Sequence, residues 1–406
     1  MRGAGRDGND VDGTPGGIPV KISILVPNLS QNVLSRAHLL GKMLMRHYEV
    51  EIVGPVLDGG IWEPLADDMS VPRRALPVRG AVHLRTHLRT LGDMADGDVV
   101  YAVKPLSTSF GAGLLARIAR KTPLVLDIDD WDTGLMNEEI RTLSVGERAR
   151  LLGYSALYPF QIGSVLGRGV CERLIGTADS ITVSSPFLQE KYGGEIVWHA
   201  RDADLFQPSG YDRARIREGL GIDPDTSVLL FLGSPRPHKG METLVEAVRC
   251  LDDRNVTLAI VGMDATPYCQ GLAEHASQVL GPRFLAYGMQ PFARIPEFLA
   301  MSDIAVIPQQ KNDATAGQVP AKIFDAMAME KSIIATAVSS IPQILDGCGW
   351  VVEPEDPDRL ADAVRFIVDN PDIAKQMGVS ARKKFNECFS YDANALTLKN
   401  VFERFN

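Results

Sequence analysis

The sequence predicts an α/β protein with two domains, and three observations support this prediction. The chain has 406 residues, 45% of them hydrophobic and 23% charged, which is the composition of a folded protein with large cores. Short apolar runs alternate with longer amphipathic stretches from Lys21 nearly to the end, as in repeated β-α units with parallel sheets. The series restarts after Pro208, so we expect two units of about 190 residues each.

The first unit begins after a segment that has no regular pattern. Residues 1–18 are rich in Gly and Asp and lack an apolar core, so they predict a disordered tail and not a signal peptide. The helices predicted next are Asn32 to His47 and Ser109 to Arg120. The predicted strands are Ile22 to Pro27, Val50 to Gly54, Val99 to Val103, Leu124 to Ile128 and Ser180 to Val183.

The second unit repeats the alternation after an irregular polar stretch, Trp198 to Phe206, which is typical of a linker. Helices are predicted at Met241 to Leu251 and Lys322 to Met329. The predicted strands are Val228 to Leu232, Thr257 to Val261, Ile304 to Ile307 and Ile333 to Thr336.

Charge and cysteine content narrow the function classes. A formal net charge of -9 gives no basic surface for nucleic acid, which makes nucleic-acid binding an unfavoured function. The odd number of widely spaced cysteines predicts reduced thiols, and with them a cytoplasmic location. They are Cys171, Cys250, Cys269, Cys348 and Cys388. The longest stretch without charge, Leu151 to Gly167, is interrupted by Gly, Ser and Pro and is too short to cross a membrane.

A glycine-rich loop between a predicted strand and a predicted helix is a candidate anion site. Ligands of open parallel sheets bind beyond the carboxyl ends of the strands, and Gly233 to Gly240 follows such an end. Lys239 and Arg236 are therefore candidate diphosphate ligands, although an ordinary solvated turn explains the loop equally well. The chain has neither a P-loop nor a Gly-x-Gly-x-x-Gly after its first strand, so nicotinamide chemistry is not expected.

A second candidate lies in the segment from Gly317 to Ala328. Pro320 is expected at the start of a helix, where it leaves the N–H groups of the first turn free for an acceptor. Asp325 is expected about one turn inside, where a carboxylate can accept paired hydroxyl protons from a ribose. Spacing alone favours the simpler interpretation, in which Asp325 is solvated on an amphipathic helix.

Four ordered segments resemble one known family. They are GSPRPHKGMETLVEAV, VGMDATPYCQGL, YGMQPFARIPEFLAMSDIAVIP and VPAKIFDAMAMEKSIIATAVSSIPQIL. In order and spacing they are similar to the C-terminal nucleotide-sugar domain of glycosyltransferase family 4. The resemblance implies the GT-B fold, in which two Rossmann-like domains face each other across a donor/acceptor cleft. The implied division is a tail (1–18), an acceptor domain (19–197), a linker (198–208), a nucleotide-sugar domain (209–385) and a C-terminal helix crossing back to the first domain (386–406).

The resemblance assigns roles on the donor side. Lys239 is expected to neutralise the donor diphosphate, with Arg236 as a helper, although the family's usual Arg lies nearer the start of this loop, where this chain has Ser234. Asp325 stands at the second Glu of the family's paired-acid motif and is expected to contact the ribose. The first Glu is absent, since Gly317 takes its place. The other donor-binding candidates are Gly233, Ser234 and Gly288, together with the backbone groups of Gln318, Val319 and Pro320.

The acceptor side departs from the family. Asn28 and Ser30 replace the usual Gly-Gly loop, and Asp129 and Asp130 stand where the family has a His; Lys104, after another strand, completes the candidates. A cluster of aspartates suggests Mg²⁺, but a solvated acidic turn is the favoured interpretation. The cluster consists of Asp127, Asp129, Asp130 and Asp132. The family resemblance implies that Lys, Arg and helix dipoles supply the positive charge, so neither a metal nor a cofactor is expected.

The predicted function is transfer of a sugar from a nucleotide diphosphate sugar to a hydroxyl acceptor, with the retention of configuration that the family resemblance implies. The alternatives are a nucleotide-sugar epimerase on the same fold and a donor-binding subunit without catalysis, which Gly317 and the altered loops of the first domain suggest. Peripheral contact with a membrane is a further hypothesis, based on the charge-free stretch and on five arginines without a nearby acid. The alternative is that these arginines are solvated and the apolar stretch packs under the first sheet. The arginines are Arg73, Arg74, Arg79, Arg85 and Arg89.

Overall fold

The computed structural model describes residues 20–57, 59–78, 84–251 and 255–405, and only the backbone of residues 84–86. The tail predicted over residues 1–18 lies outside the described residues.

The first half of the chain forms a parallel sheet with helices on both faces. Its strands are β1 (Lys21–Leu25), β2 (Glu49–Val56), β3 (Arg73–Pro77), β4 (Val99–Val103), β5 (Leu124–Ile128), β6 (Ser180–Val183) and β7 (Glu195–Ile196). Its helices are α1 (Leu34–Leu44), α2 (Leu84–Met94), α3 (Ala112–Arg120), α4 (Asp132–Thr142), α5 (Val145–Leu157), α6 (Val165–Leu174) and α7 (Pro186–Tyr192). The strand order is β3-β2-β1-β4-β5-β6-β7, and every strand pair is parallel.

The second half repeats the arrangement with six parallel strands. They are β8 (Ser227–Leu232), β9 (Val256–Met263), β10 (Phe284–Gly288), β11 (Ile304–Ile307), β12 (Ser332–Thr336) and β13 (Trp350–Val352). The helices are α8 (Arg213–Leu220), α9 (Met241–Cys250), α10 (Pro267–Leu280), α11 (Ile295–Met301), α12 (Asp313–Ala316), α13 (Lys322–Ala328), α14 (Ile341–Leu345), α15 (Pro357–Asp369), α16 (Pro371–Cys388) and α17 (Tyr391–Phe402). The strand order is β10-β9-β8-β11-β12-β13.

The central strands are apolar because both of their faces are covered. In β8, Leu229 and Phe231 join one buried cluster, whereas Leu230 and Leu232 join the cluster on the other side of the sheet. Side chains alternate between the faces of a strand, so a strand with two covered faces is an uninterrupted apolar run. This is why the nine predicted strands are found in place, whereas the edge strand β3, which begins with two arginines, gave no such signal.

Each sheet has one point where the strand order reverses. It lies between β1 and β4 in the first sheet and between β8 and β11 in the second. The loops after these strands leave in opposite directions and open a crevice at the carboxyl ends, which is where ligands of doubly wound sheets bind. The candidate residues Asn28, Lys104 and Gly233 all follow strands that flank these points.

The connecting segment, residues 198–208, is irregular, as expected, but only Asp204 and Gln207 of it are exposed. The Trp198 ring lies 6.0 Å from that of Phe324 and 5.3 Å from that of Phe389. Arg201 forms an isolated parallel bridge with Ser390, just before α17. α17 then packs on the first domain, with the Phe402 ring 5.1 Å from that of Tyr101.

The structure corrects two expectations about the first domain. The helix predicted over Ser109 to Arg120 is present as α3 but begins at Ala112, since Ser107–Gly111 form a π-helical turn in which the Ser109 hydroxyl donates to the Lys104 carbonyl (2.9 Å). The apolar stretch Leu151 to Gly167 does not pack under the sheet, since Leu152 and Leu157 in α5 are 54% and 76% exposed.

None of the helices in the described ranges is long and apolar enough to span a bilayer. The five cysteines are free thiols.

Candidate active site

The loop after β8 is shaped by two glycines with positive φ angles. Gly240 has a φ of 69°, and a Cβ there would lie 1.8 Å from the Pro308 carbonyl oxygen. Gly233 has a φ of 108°. The loop therefore turns closely against the end of β11 before α9 begins, which places Lys239 at the crevice of the second sheet.

Lys239 lies in a hydrogen-bond network that joins the two domains. Its ammonium donates to the Gln318 side-chain oxygen, which also accepts from Gln309 Nε2 (2.8 Å). Gln318 Nε2 in turn donates to Asp130 Oδ1 of the first domain (3.2 Å). Sequence analysis assigned Gln318 a backbone role only, so this side-chain bridge was missed.

The Lys239 ammonium is destabilised by its surroundings. Burial lowers the pKa of Lys239 to about 8, with Arg236 adding to the effect and Asp130 opposing it. Because a desolvated cation gains the most from an approaching anion, Lys239 is suited to a diphosphate. The interpretation of this loop as an ordinary solvated turn does not describe Lys239.

Arg236 is directed elsewhere. Its Nη2 lies 2.8 Å from Asp264 Oδ2, its Nη1 donates to the Pro235 carbonyl (2.6 Å), and its side chain is 40% exposed. Asp264 therefore already neutralises the cation that was expected to assist Lys239.

The other donor-side candidates are scattered around the crevice. The Ser234 hydroxyl lies 3.7 Å from Met289 Sδ, and Gly288 is exposed at the end of the edge strand β10. Val319 is a core side chain, and Pro320 is buried two residues before α13 begins.

Asp325 is buried, so its interpretation as a solvated helix residue is wrong. It is 4% exposed, and its Oδ1 accepts from Arg201 Nε in the connecting segment. Burial raises the pKa of Asp325, and the Arg201 guanidinium opposes that rise. The signal that could have found this pair was the presence of Arg, His and Trp in a segment that resembled a simple linker.

Lys104 lies among three carboxylates on the acceptor side. Its Nζ is 3.1 Å from Asp129, 2.8 Å from Asp130 and 3.3 Å from Asp132. The favoured interpretation of a solvated acidic turn is therefore wrong, because these aspartates are turned inward around a cation. Lys104 also has a φ of 65°, a left-handed conformation that costs a non-glycine residue about 1 kcal/mol or more.

Burial and the nearby charges shift the pKa values of the carboxyl groups in this cluster. Burial raises the pKa of Asp129 to about 7, against the attraction of Lys104. Burial also acts on Asp130, but the Lys104 ammonium outweighs it and holds the pKa of Asp130 below its ordinary value. The cluster therefore combines a fixed carboxylate with one that can take up a proton near neutral pH.

Asp127 serves another purpose. Both of its oxygens accept from Arg36 of α1, at 2.9 Å and 2.8 Å, and this pair is buried. The neighbouring His199, which sequence analysis did not select, has a pKa held well below its usual value by burial and by Arg36.

Across the described ranges, no three His, Cys, Asp or Glu side chains are grouped to hold a metal ion.

Asn28 offers an unsatisfied donor. It is 1% exposed, and its Oδ1 accepts from the Ser30 backbone N–H (2.9 Å), whereas its Nδ2 has no partner among the described residues. Gln309 Oε1, after β11, is also buried without a partner in the same ranges. Buried polar atoms are normally satisfied, so these two are suited to meet a ligand or water.

Gly317 lies at a contact between the two domains. A Cβ at this position would lie 2.8 Å from Trp131 Cβ and 3.2 Å from the Phe187 ring. The Ser185 hydroxyl lies 3.5 Å from the Gly317 carbonyl oxygen. The first domain therefore fills the space in which the family's first Glu would begin.

Comparison with solved structures identifies the class of fold. The structure of HepE from Anabaena in complex with UDP and glucose is similar, with a TM-score of 0.71, 17% identity, and coverage of 95% of this chain and 99% of that one. Sucrose-phosphate synthase from Thermosynechococcus elongatus has a TM-score of 0.70 at 17% identity, covering 95% and 98%. A putative UDP-N-acetylglucosamine 2-epimerase from Listeria monocytogenes has a TM-score of 0.59 at 15% identity, covering 95% and 97%. The predicted GT-B fold is confirmed.

The sequence comparison is more specific. Residues 226–370, within the second domain, match the family described as Glycosyl transferases group 1, which agrees with the resemblance found in the sequence. The D-inositol 3-phosphate glycosyltransferase of Corynebacterium glutamicum (strain R) is 28% identical over 256 residues, covering 58% of this chain and 60% of the relative. The chain spans about half to three fifths of the length of the curated relatives it matches.

Proposed function

We propose that this protein transfers a sugar from a nucleotide diphosphate sugar to a hydroxyl acceptor, with retention of anomeric configuration. The observation that carries the proposal is the position of Lys239, at the crevice of a group 1 glycosyltransferase domain and linked through Gln318 to Asp130 of the opposite domain. A relative named as a glycosyltransferase supports transfer, and a similar structure holding UDP supports the class of donor.

The chemistry requires charge stabilisation more than a nucleophile. The bond between the sugar C1 and the diphosphate breaks, and its electron pair remains on the phosphate oxygen. A C1–O bond to the acceptor forms, and the acceptor proton passes to the departing phosphate. A desolvated ammonium fixed beside that oxygen stabilises the developing anion without reorganisation at the moment of reaction. Lys239 supplies this ammonium in the proposal.

The acceptor meets the first domain. Asp130 is kept ionised by Lys104, and the carboxylate oxygens of this cluster can accept from sugar hydroxyls. The unsatisfied Asn28 amide adds a donor at the same edge of the sheet. These groups favour a polyhydroxylated acceptor.

Two alternatives have some support. The fold also occurs in a protein described as a putative epimerase, so the fold alone does not decide the reaction. Gly317 suggested a subunit without catalysis, but the contact of Trp131 with this position gives a structural reason for the glycine. The family match therefore favours transfer.

A thermal-shift screen tests the donor class. A nucleoside diphosphate that binds the folded state stabilises it by mass action and so raises its melting temperature. At a ligand concentration of a hundred times Kd the free energy of unfolding rises by about 2.7 kcal/mol. We expect at least one of UDP, GDP, ADP and dTDP to raise the melting temperature, and the corresponding nucleoside to do so much less. Identical melting temperatures with and without all four would contradict the proposal.

We also propose peripheral contact with a lipid surface through exposed side chains of α5 and α6. We call these residues the α5–α6 apolar surface: Val145, Leu152, Leu157, Leu166 and Val170. The arginine part of the earlier hypothesis changes, because Arg74 pairs with Asp96 (3.0 Å) and Arg73 donates to the Leu65 carbonyl (2.8 Å). Arg79 and the side chain of Arg85 lie outside the described residues. The exposed apolar side chains therefore support lipid contact more than the arginines do.

A further inference from the structure

A second lysine at the donor crevice has no counterion. Lys322 is the first residue of α13, and its Nζ lies 3.7 Å from the centre of the Phe231 ring. Within the described part of the chain, its ammonium forms no ion pair and no hydrogen bond. The carboxylate three residues further on, Asp325, is engaged by Arg201.

The position of Lys322 is that of a ligand-facing group. A Cβ on Gly233 would come within 3.2 Å of Lys322 Nζ, so the ammonium lies directly over the end of β8. This is the crevice that holds Lys239, and a side chain at position 233 would press on the lysine ammonium. The side chain is half-buried and so keeps some access from the cleft.

Two ammonium groups at one crevice repel each other. Burial lowers the pKa of Lys322 well below its usual value, and Lys239 lowers it further. The ring of Phe231 offsets only part of the cost of an unpaired, desolvated cation. Asp130 attracts Lys239, but it is already paired with Lys104. Asp325 attracts Lys322, but it is already paired with Arg201. Two desolvated ammonium groups at one crevice are complementary to a polyanion.

We propose that Lys322 binds the diphosphate of the nucleotide together with Lys239, in the place that sequence analysis gave to Arg236. This inference rests on the proposed function, since it assumes a nucleoside diphosphate at the crevice. It explains why Arg236 can be committed to Asp264 without leaving the diphosphate with a single cation.

The test is the Lys322→Met variant, which keeps the length of the side chain and removes its charge. The probe is whichever of UDP, GDP, ADP and dTDP binds the wild type most tightly. We expect affinity by calorimetry to fall about tenfold or more. We also expect the ligand-free variant to melt at a higher temperature than the wild type, because an unpaired cation has been removed from a desolvated position. A packing role alone would leave affinity unchanged and lower the melting temperature.

Lys331→Met is the matched control. Lys331 is another lysine of this domain whose pKa burial lowers, to about 8, but its Nζ donates to the Ser302 carbonyl (3.0 Å) away from the crevice. We expect this variant to bind the nucleotide as the wild type does. Equal affinity of Lys322→Met and the wild type would overturn the inference while leaving the proposed function standing. Failure of the wild type to bind any of the four nucleotides would overturn both.

A measurement on the unmodified chain covers the case in which Lys322→Met does not fold. Wild-type protein is acetylated for short times with and without the nucleotide, and each lysine is followed by mass spectrometry. We expect the nucleotide to slow acetylation of Lys322 and to leave that of Lys331 unchanged. Equal rates at Lys322 with and without nucleotide would contradict the inference.

Discussion

Lys239 can bind a diphosphate as a cation only while its amino group is protonated. Its pKa is lowered to about 8 instead of the usual value near 10.4, so the cation is lost over an accessible range of pH. Arg236, Asp130 and the second ammonium, Lys322, face the same group, and the pKa of Lys322 is lowered too. Binding of an anion therefore weakens as the pH rises.

We expect nucleoside diphosphate affinity to fall as the pH rises through about 8, because Lys239 loses its proton in this range. Calorimetric titration across this range, in buffers of matched ionic strength, measures the effect. An affinity that is unchanged up to about pH 9.5 would show that these lysines do not bind the ligand as cations.

Asp325 carries a second prediction at this scale. Ribose contacts are present in both the ground state and the transition state, so Asp325→Asn should raise the donor KM more than it lowers kcat. The variant also weakens the buried pair with Arg201, and breaking such a pair costs about 3 to 5 kcal/mol. Kinetics are therefore measured well below the melting temperature of the variant. An unchanged donor KM in the folded variant would assign Asp325 to the Arg201 pair alone.

Among the elements, α5 and α6 bear the lipid-contact proposal. Leu152→Glu with Leu157→Glu should reduce cosedimentation with anionic vesicles, because both side chains are exposed and a buried methylene contributes about 0.8 kcal/mol to membrane affinity. The fold should be unaffected. Leu396→Glu, at a 62% exposed leucine of α17, is the control and should cosediment as the wild type does.

Binding that is absent in the wild type, or equal in the double variant and the wild type, would remove the membrane from the account. The salt dependence adds a second criterion. Because Arg73 and Arg74 are already engaged within the protein, we expect only a modest loss of binding at high salt.

At the scale of the whole molecule, the contact at Gly317 holds the domains together. We expect Gly317→Glu to lower transfer, by about a hundredfold, instead of restoring the acid that the family usually has, because Trp131 and Phe187 leave no room for a side chain. The domains should separate, and small-angle scattering should show a larger radius of gyration than in the wild type.

Gly169→Glu is the matched control, since a Cβ at that position in α6 has open space around it. It should scatter and react as the wild type does. Gly317→Glu with wild-type activity and an unchanged radius of gyration would show that the domain contact is not tight at this position.

Features formed by residues close together in the sequence were predictable, whereas contacts between residues far apart in the sequence were not. The buried strands were predictable because each one is a short local run, and the Gly233–Gly240 loop was predictable because its glycines and cations are consecutive. The Gln318–Asp130 bond joins residues 188 positions apart, and no local pattern signals it. The acidic turn was misinterpreted for the same reason, since Lys104 precedes Asp130 by 26 positions and supplies the charge that draws the aspartates inward.

The most direct test of the central claim is the fate of radiolabelled sugar in a nucleotide diphosphate sugar incubated with the protein. The account predicts that the label leaves the nucleotide, moving to an acceptor or slowly to water, and that a nucleoside diphosphate is released. Lys239→Ala should slow this release by about 30-fold to 1,000-fold, corresponding to about 2 to 4 kcal/mol of lost transition-state stabilisation, while the exposed-lysine control Lys375→Ala reacts normally. Label that stays on the nucleotide, label that appears in an isomeric nucleotide sugar, or a Lys239→Ala variant as fast as the wild type would contradict the account.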